Sequence, residues 1–219
     1  MADTVWENLF DRAVDCLDSC SNQMPGLIRW SFGGGTALML QLGHRRSKDI
    51  DIFVNYVEAL PLLSPRLNSR ADALAHDYIE AQNFVKLNLP QGTIDFIVAP
   101  HLTSDPWHQT DIRGRTVLLE TPWEIVIKKL FFRTSTLQVR DVFDAAVVLR
   151  HHLEEMRHNS GLLWNKIDLL CNRLDMLQSR YQKEAVDTID VLPAGQALLG
   201  DAPDVVRNFL ESVRDKRFR

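Results

Sequence analysis

The sequence predicts an α+β protein in two parts, an N-terminal α/β part over about residues 1–120 and an all-helical part over 121–219. Three observations lead there. Short β-branched and aromatic runs fall almost entirely before residue 120. A helix-start signal stands at Thr121-Pro122, with Glu124 three residues after the cap. Beyond it the apolar residues recur at helical spacing, and strand character returns only faintly in "TIDVL".

The elements follow in order. Val5, Leu9, Val14 and Leu17 mark an amphipathic helix over residues 4–20, which "SNQMPG" ends. "LIRWSF" is a short β-like run leading into three glycines. "TALMLQLG" favours helix, with Gly43 placed to end it. "DIDIFVN" is the clearest strand. "RADALAHDYIE" predicts another helix. "NFVKLNLP" and "TIDFIVAP", joined through "PQG", predict a hairpin, and "GRTVLLET" one further strand. In the second part, "TPWEIVIKKLFFRTS", "LQVRDVFDAAVVLRHH", "GLLWNKIDLLCNRLDMLQSRYQKEA" and "PDVVRNFLESVRDK" all carry helical periodicity. Trp164, Leu169, Leu170, Leu174 and Leu177 have the spacing of core positions.

Composition excludes several classes. The chain has 219 residues, enough to bury a core without staples, and a formal net charge of −4. That balance argues against a broadly basic nucleic-acid coat, so any such contact must come from local patches such as "GHRRSK" at 43–48 or the tail "RDKRFR". No apolar run reaches membrane-spanning length, and the first residues lack a basic segment followed by an apolar one. A cytoplasmic protein without membrane contact is expected. Cys16, Cys20 and Cys171 form no zinc or redox pattern and read as buried thiols, the first two sharing a helix face.

The chemistry concentrates in "SFGGGTALMLQLGHRRSKDIDIF". Asp49 and Asp51 project from one face of a strand, roughly 7 Å apart at Cα, while Ile50 and Ile52 face the core. Two carboxylates on one face repel, and a divalent cation between them reverses that sign. Asp95 sits alone between Ile94 and Phe96 in another strand, where an acid is costly to bury without a partner. Were the two strands neighbours, three carboxylates would suit Mg2+, two ions during turnover, and in-line phosphoryl or nucleotidyl transfer, with Asp95 placed to take the proton of an attacking hydroxyl. Gly34, Gly35 and Thr36, where strand meets helix, suit the phosphates of an NTP. Arg45, Arg46 and Lys48 would add charge nearby and Ser47 a hydroxyl. Taken singly, the glycines read as a turn, Asp-x-Asp as a solvated strand face and "GHRR" as surface; their order gives them a common purpose.

Gly34-Gly35-Thr36-Ala37-Leu38, then His44-Arg45, Ser47 and Asp49-Ile50-Asp51-Ile52-Phe53, resembles the first motif of DNA polymerase β-type nucleotidyltransferases, and more closely that of the AbiEii/AbiGii-type toxins. "TPWEIVIKKL" followed by "RDVFDAAVVL" is similar to later motifs of that branch. The likeness spans roughly residues 28–150. It implies a polymerase-β-like lobe with a mixed sheet and flanking helices, followed by a helical lobe, with the active site in the cleft. It implies metal binding by Asp49 and Asp51, a phosphate contact from Lys129 or its neighbour Lys128, a further essential acid at Asp144, and nucleotide contacts from Ser47 and Arg140. The reaction implied is Mg2+-dependent transfer of NMP from an NTP to an acceptor hydroxyl, in the toxin branch the tRNA 3′ end, with a cognate antitoxin as partner. An antibiotic-type small-molecule nucleotidyltransferase and a non-catalytic nucleotide- or partner-binding module are the alternatives. Without the resemblance, Arg140 and Asp144 read equally as a helix salt bridge, and Lys128 and Lys129 as a solvated face; the apolar flanks "IVI" and "LFF" instead suggest a buried helix whose lysines need an anion.

Overall fold

The computed structural model describes residues 5–23 and 29–217. The chain divides into two compact units. One comprises residues 1–37, 47–101 and 107–120, the other 38–46, 102–106 and 121–219.

The first unit is built on a seven-stranded mixed sheet. Its strands are β1 (Trp30–Gly33), β2 (Ile50–Val54), β3 (Asp77–Ala81), β4 (Phe84–Leu89), β5 (Gly92–Val98), β6 (Trp107–Ile112) and β7 (Arg115–Glu120). The order across the sheet is β3-β4-β5-β2-β1-β7-β6. β2 runs antiparallel to β1 and parallel to β5, and β7 lies parallel to β1. Helix α1 (Val5–Gln23) packs on β2 and β5 through a buried row that includes Leu9, Phe10, Ala13 and Leu17. Beneath it lie Phe32, Ile50, Ile52, Ile94 and Phe96, all fully buried. Strand alternation therefore commits one face of the sheet to this core and turns the intervening residues, Asp51 and Phe53 among them, to the other face. Cys16 and Cys20 are buried, and burial, reinforced by the neighbouring Cys20, pushes the Cys16 thiol up to about 12. The Cys20 thiol donates to the Leu62 carbonyl at 2.7 Å.

Two elements depart from the sequence reading. After a one-turn helix, α3 (Leu60–Leu63), the segment predicted as one helix over "RADALAHDYIE" is a short helix, α4 (Ser69–Leu74), followed by the edge strand β3. The helix ends because His76 N–H turns to the Asn88 carbonyl, and β3 then pairs with β4 from Asp77↔Asn88 to Ala81↔Phe84. Strand β6 was not foreseen. Its residues are nearly all exposed and polar, so no apolar alternation announces it, yet it pairs along its length with β7.

Helix α2 (Gly34–Leu42) begins in the first unit and ends in the second. The second unit otherwise contains α5 (Pro122–Phe132), α6 (Val139–His151), α7 (Leu153–His158), α8 (Ile167–Thr188) and α9 (Ala202–Arg217). α6 is central, packing on α5, α8 and α9. The buried stripe of α8 is Ile167, Leu170, Cys171, Leu174, Leu177, Tyr181 and Ala185. Leu169 is 56% exposed and lies off that stripe, and Trp164, 44% exposed, precedes α8 just after a 3-10 turn (Ser160–Leu163), so those two expected core positions are corrected. The "TIDVL" signal survives only as an isolated bridge between Arg45 and Val191. At α5 the cap is one-sided. Thr121 Oγ1 accepts from Glu124 N–H at 3.4 Å, while the Glu124 carboxylate accepts from Leu102 and Thr103. Among the described residues no helix is long and apolar enough to cross a membrane.

Candidate active site

On the sheet face opposite α1, a row of side chains runs across neighbouring strands. Asp51 of β2 is in register with Asp95 of β5, which is in register with Lys86 of β4. On its other side Asp51 is in register with Gly33 of β1. The sequence-level expectation that the Asp49 and Asp95 strands are neighbours thus matches the observed pairing of β2 with β5.

Asp49 stands immediately before β2 and is held there. Its Oδ1 accepts the Thr93 amide at 2.9 Å, and the Gly92 backbone lies so close that a Cβ would come within 3.0 Å of the same oxygen. Asp51 packs against the turn from β1 into α2. A Cβ on Gly34 would fall 1.9 Å from Asp51 Oδ2, and Gly34 has φ +71°, a conformation that disfavours any side chain. The glycine run is therefore what lets a helix N-terminus approach the Asp51 carboxylate. Gly34→Ala is expected to lose about 1–2 kcal/mol from the backbone conformation alone and to push Asp51 aside. Thermal unfolding with a transfer assay checks this, and unchanged values for both would refute the close-packing role.

Thr36, buried at the start of α2, donates to the Asp49 carbonyl at 2.6 Å and lies 3.1 Å from Ser47 Oγ. These two predicted nucleotide contacts thus tie the start of α2 to the approach to β2. Asp95 is accompanied by a residue that sequence reading missed, since Lys86 Nζ lies 2.9 Å from its Oδ2. Asp51 and Asp95 stand in register across β2 and β5, and Asp49 immediately precedes β2. The Lys86 signal lay in the hairpin. The turn is Pro90-Gln91 alone, with Gly92 already in β5, and that register puts Lys86 opposite Asp95, where "PQG" as a three-residue turn would have put it opposite Phe96.

In the second unit the predicted residues meet in a buried ionic cluster centred on Asp144. This carboxylate is fully buried. Arg45 donates to it twice, Nε to Oδ1 at 2.6 Å and Nη2 to Oδ2 at 2.8 Å. His44 Nε2 lies 2.8 Å from Oδ1, and Lys129 Nζ donates to Oδ2. Lys129 also donates to Asp141 at 3.0 Å, where Arg133 joins from 3.1 Å. Asp141 in turn accepts the Gln138 amide and caps α6.

The anionic partners that a buried lysine requires are thus Asp141 and Asp144 for Lys129, and Glu124, at 3.5 Å, for Lys128. "GHRR" is not a plain surface patch, because His44 and Arg45 are buried. Arg140 is exposed and takes part in no ion pair among the described residues, so the expected Arg140–Asp144 helix bridge is replaced by the Arg45 fork. His44 was visible in the motif without a role, and Asp141 without a definite one; only tertiary packing reveals what they touch.

Burial opposes ionisation of Asp144, but Arg45 and Lys129, with hydrogen bonds from Arg45 and His44, outweigh it and hold the carboxyl well below the usual carboxylate range. Burial likewise opposes ionisation of Asp141, and Lys129 and Arg133 lower it. Both folded-state values lie below the unfolded ones. The stabilisation is therefore complete above the unfolded carboxylate value of about 4 and is lost as pH falls from there through the depressed folded values. Urea midpoints taken between neutral pH and pH 3 should drop below about pH 4, and Asp144→Asn should flatten that drop.

A mixed sheet with flanking helices, carrying Asp-x-Asp beside a glycine turn into a helix, defines a nucleotidyltransferase fold. Residues 19–192 match the family described as nucleotidyl transferase AbiEii toxin, type IV toxin–antitoxin system. The chain belongs to this family of nucleotidyltransferases, and the match extends beyond both ends of the stretch over which the resemblance was read. A protein from H. pylori assigned as a nucleotidyltransferase is similar in structure, with TM-score 0.51 and 16% identity, covering 93% of this chain and 94% of that one. The antibiotic-resistance factor ANT(2'')-Ia aligns with TM-score 0.48 and 18% identity over 84% of this chain and 96% of that one. No curated protein sequence matches.

Proposed function

We propose that the chain transfers a nucleoside monophosphate from an NTP to the 3′ end of tRNA, and that it acts as the toxin of a toxin–antitoxin pair with a cognate antitoxin as partner. The observation that carries the chemistry is the packing of Gly34 against Asp51, which puts a carboxylate beside the N-terminal turn of a helix where any Cβ would intrude. On this reading the carboxylates of Asp49 and Asp51 would supply hard oxygen ligands to Mg2+, which would hold the NTP phosphates and stabilise developing charge. The backbone amides of Gly34, Gly35 and Thr36 point phosphate oxygens to the start of α2. The acceptor oxygen forms a bond to the α-phosphorus as the bond to the bridging oxygen breaks. Pyrophosphate leaves, and the hydroxyl proton passes to Asp95.

The test is incubation with each labelled NTP, magnesium and bulk tRNA, followed by a gel, beside the same NTPs with an aminoglycoside. Label appearing in tRNA is expected. Label appearing in the aminoglycoside alone would replace the tRNA reading with the antibiotic-type one, and no transfer to either would remove both.

A further inference from the structure

A second site lies on the same sheet face as the Asp51 row. Along β2 the next residue facing that way is Phe53, about 7 Å beyond Asp51, in register with Ser31 of β1 and Ile97 of β5. Phe53 and Ser31 line a cavity of about 1120 Å³ that opens where β2 and β5 end. Around it stand Trp30, Tyr56 and Trp107, with Arg29 and His101. Tyr56 is 51% and Trp107 41% exposed, and both rings line this one cavity, so their exposed surface forms a shared patch.

The cavity exceeds the roughly 300–1,000 Å³ usual for one small molecule. None of its fourteen lining residues is acidic, although acids outnumber bases in the chain. Glu120 lies nearby but is fully buried and accepts from Ser31 Oγ at 2.8 Å. A polycationic acceptor would require carboxylates in this wall. Aromatic faces interspersed with Arg and His suit flat heterocyclic bases and the phosphodiester between them. β5, which carries Asp95, ends at Val98 in the cavity wall, and Ala99, Pro100 and His101 continue that wall.

The geometry points to this cavity as the seat of the unpaired terminal bases of a single-stranded acceptor, stacked on Tyr56 and Trp107. The inference rests on the nucleotidyl-transfer reading above and adds the place and the residues that hold the acceptor.

Binding without turnover tests it. A fluorescein-labelled single-stranded RNA hexamer is titrated by anisotropy into wild type, Tyr56→Ala and Trp107→Ala, with Tyr56→Phe and Trp107→Phe as ring-retaining partners. Magnesium ATP and an aminoglycoside are measured in parallel by equilibrium dialysis. Each Ala variant should weaken the hexamer about tenfold, the Phe variants should stay near wild type, and ATP binding should be unchanged. Unaltered RNA affinity in both Ala variants, no RNA binding by wild type, or a loss confined to ATP or to the aminoglycoside would each overturn the assignment. Anisotropy needs no turnover, so hexamer binding by the wild type is read whether or not transfer occurs. Failure of transfer in the wild type would thus be distinguishable from failure of the cavity.

Discussion

Asp51→Asn should reduce nucleotidyl transfer by on the order of a thousandfold, equivalent to about 4 kcal/mol of transition-state stabilisation, while leaving the protein as stable as before. The two effects separate because the carboxylate does different work in each. In folding it is a charge placed in register with a second one, Asp95, across the β2–β5 ladder, and like charges directly opposite are unfavourable. In the proposed reaction it would be the ligand that holds Mg2+ to the phosphates, and an amide oxygen would replace it poorly. Single-turnover transfer with labelled NTP reads the first quantity, and a thermal scan reads the second. Wild-type turnover in the Asn variant would remove the carboxylate pair from the mechanism; a large fall in melting temperature would show that the side chain is structural.

Asp144→Ala has the opposite profile. Removing this carboxylate leaves the Arg45 guanidinium buried and takes one of two anions from Lys129. Breaking a buried pair from one side costs about 3–5 kcal/mol because the remaining charge is uncompensated. The urea midpoint should fall accordingly, and activity should fall with it as the folded fraction drops. Arg133→Ala is the contrast. Its side chain is 42% exposed and Asp141 keeps Lys129, so the loss should stay within about 1 kcal/mol. A midpoint for Asp144→Ala close to that of Arg133→Ala would show that the cluster contributes little to folding.

What could be read from the chain alone follows from which interactions are local. β2, the β4–β5 hairpin and the start of α5 were legible because alternation, turn chemistry and capping lie within a few residues. β6 escaped because an exposed edge strand is specified by its partner β7, and β3 because "RADALAH" does begin as helix before pairing with β4 captures the rest. Leu169 fitted a helical period, but several apolar registers were available on α8 and only packing against α6 and α9 selects one, while Trp164 falls before that helix begins. The candidate site divides in the same way. Asp49, Asp51 and the glycines declare themselves by order and spacing. The Lys86–Asp95 pair needs the hairpin register, and the Asp144 cluster joins residues about 100 positions apart, so no window of sequence contains it.

Residues 189–195, which offered no motif, acquire a purpose from their contacts with the basic segment. Arg46 N–H donates to the Asp190 carbonyl at 2.7 Å and Leu192 N–H to the His44 carbonyl at 3.0 Å, and Gly195 lies so near that a Cβ would meet the same carbonyl at 2.3 Å. The backbone just upstream of the two aspartates is thereby clasped by a stretch almost 150 residues later. A chain stopped at Thr188 would lose both backbone hydrogen bonds to this basic segment. The short stretch after α8 is thus a clamp on His44 and Arg45, and shortening the chain there should loosen that pair first.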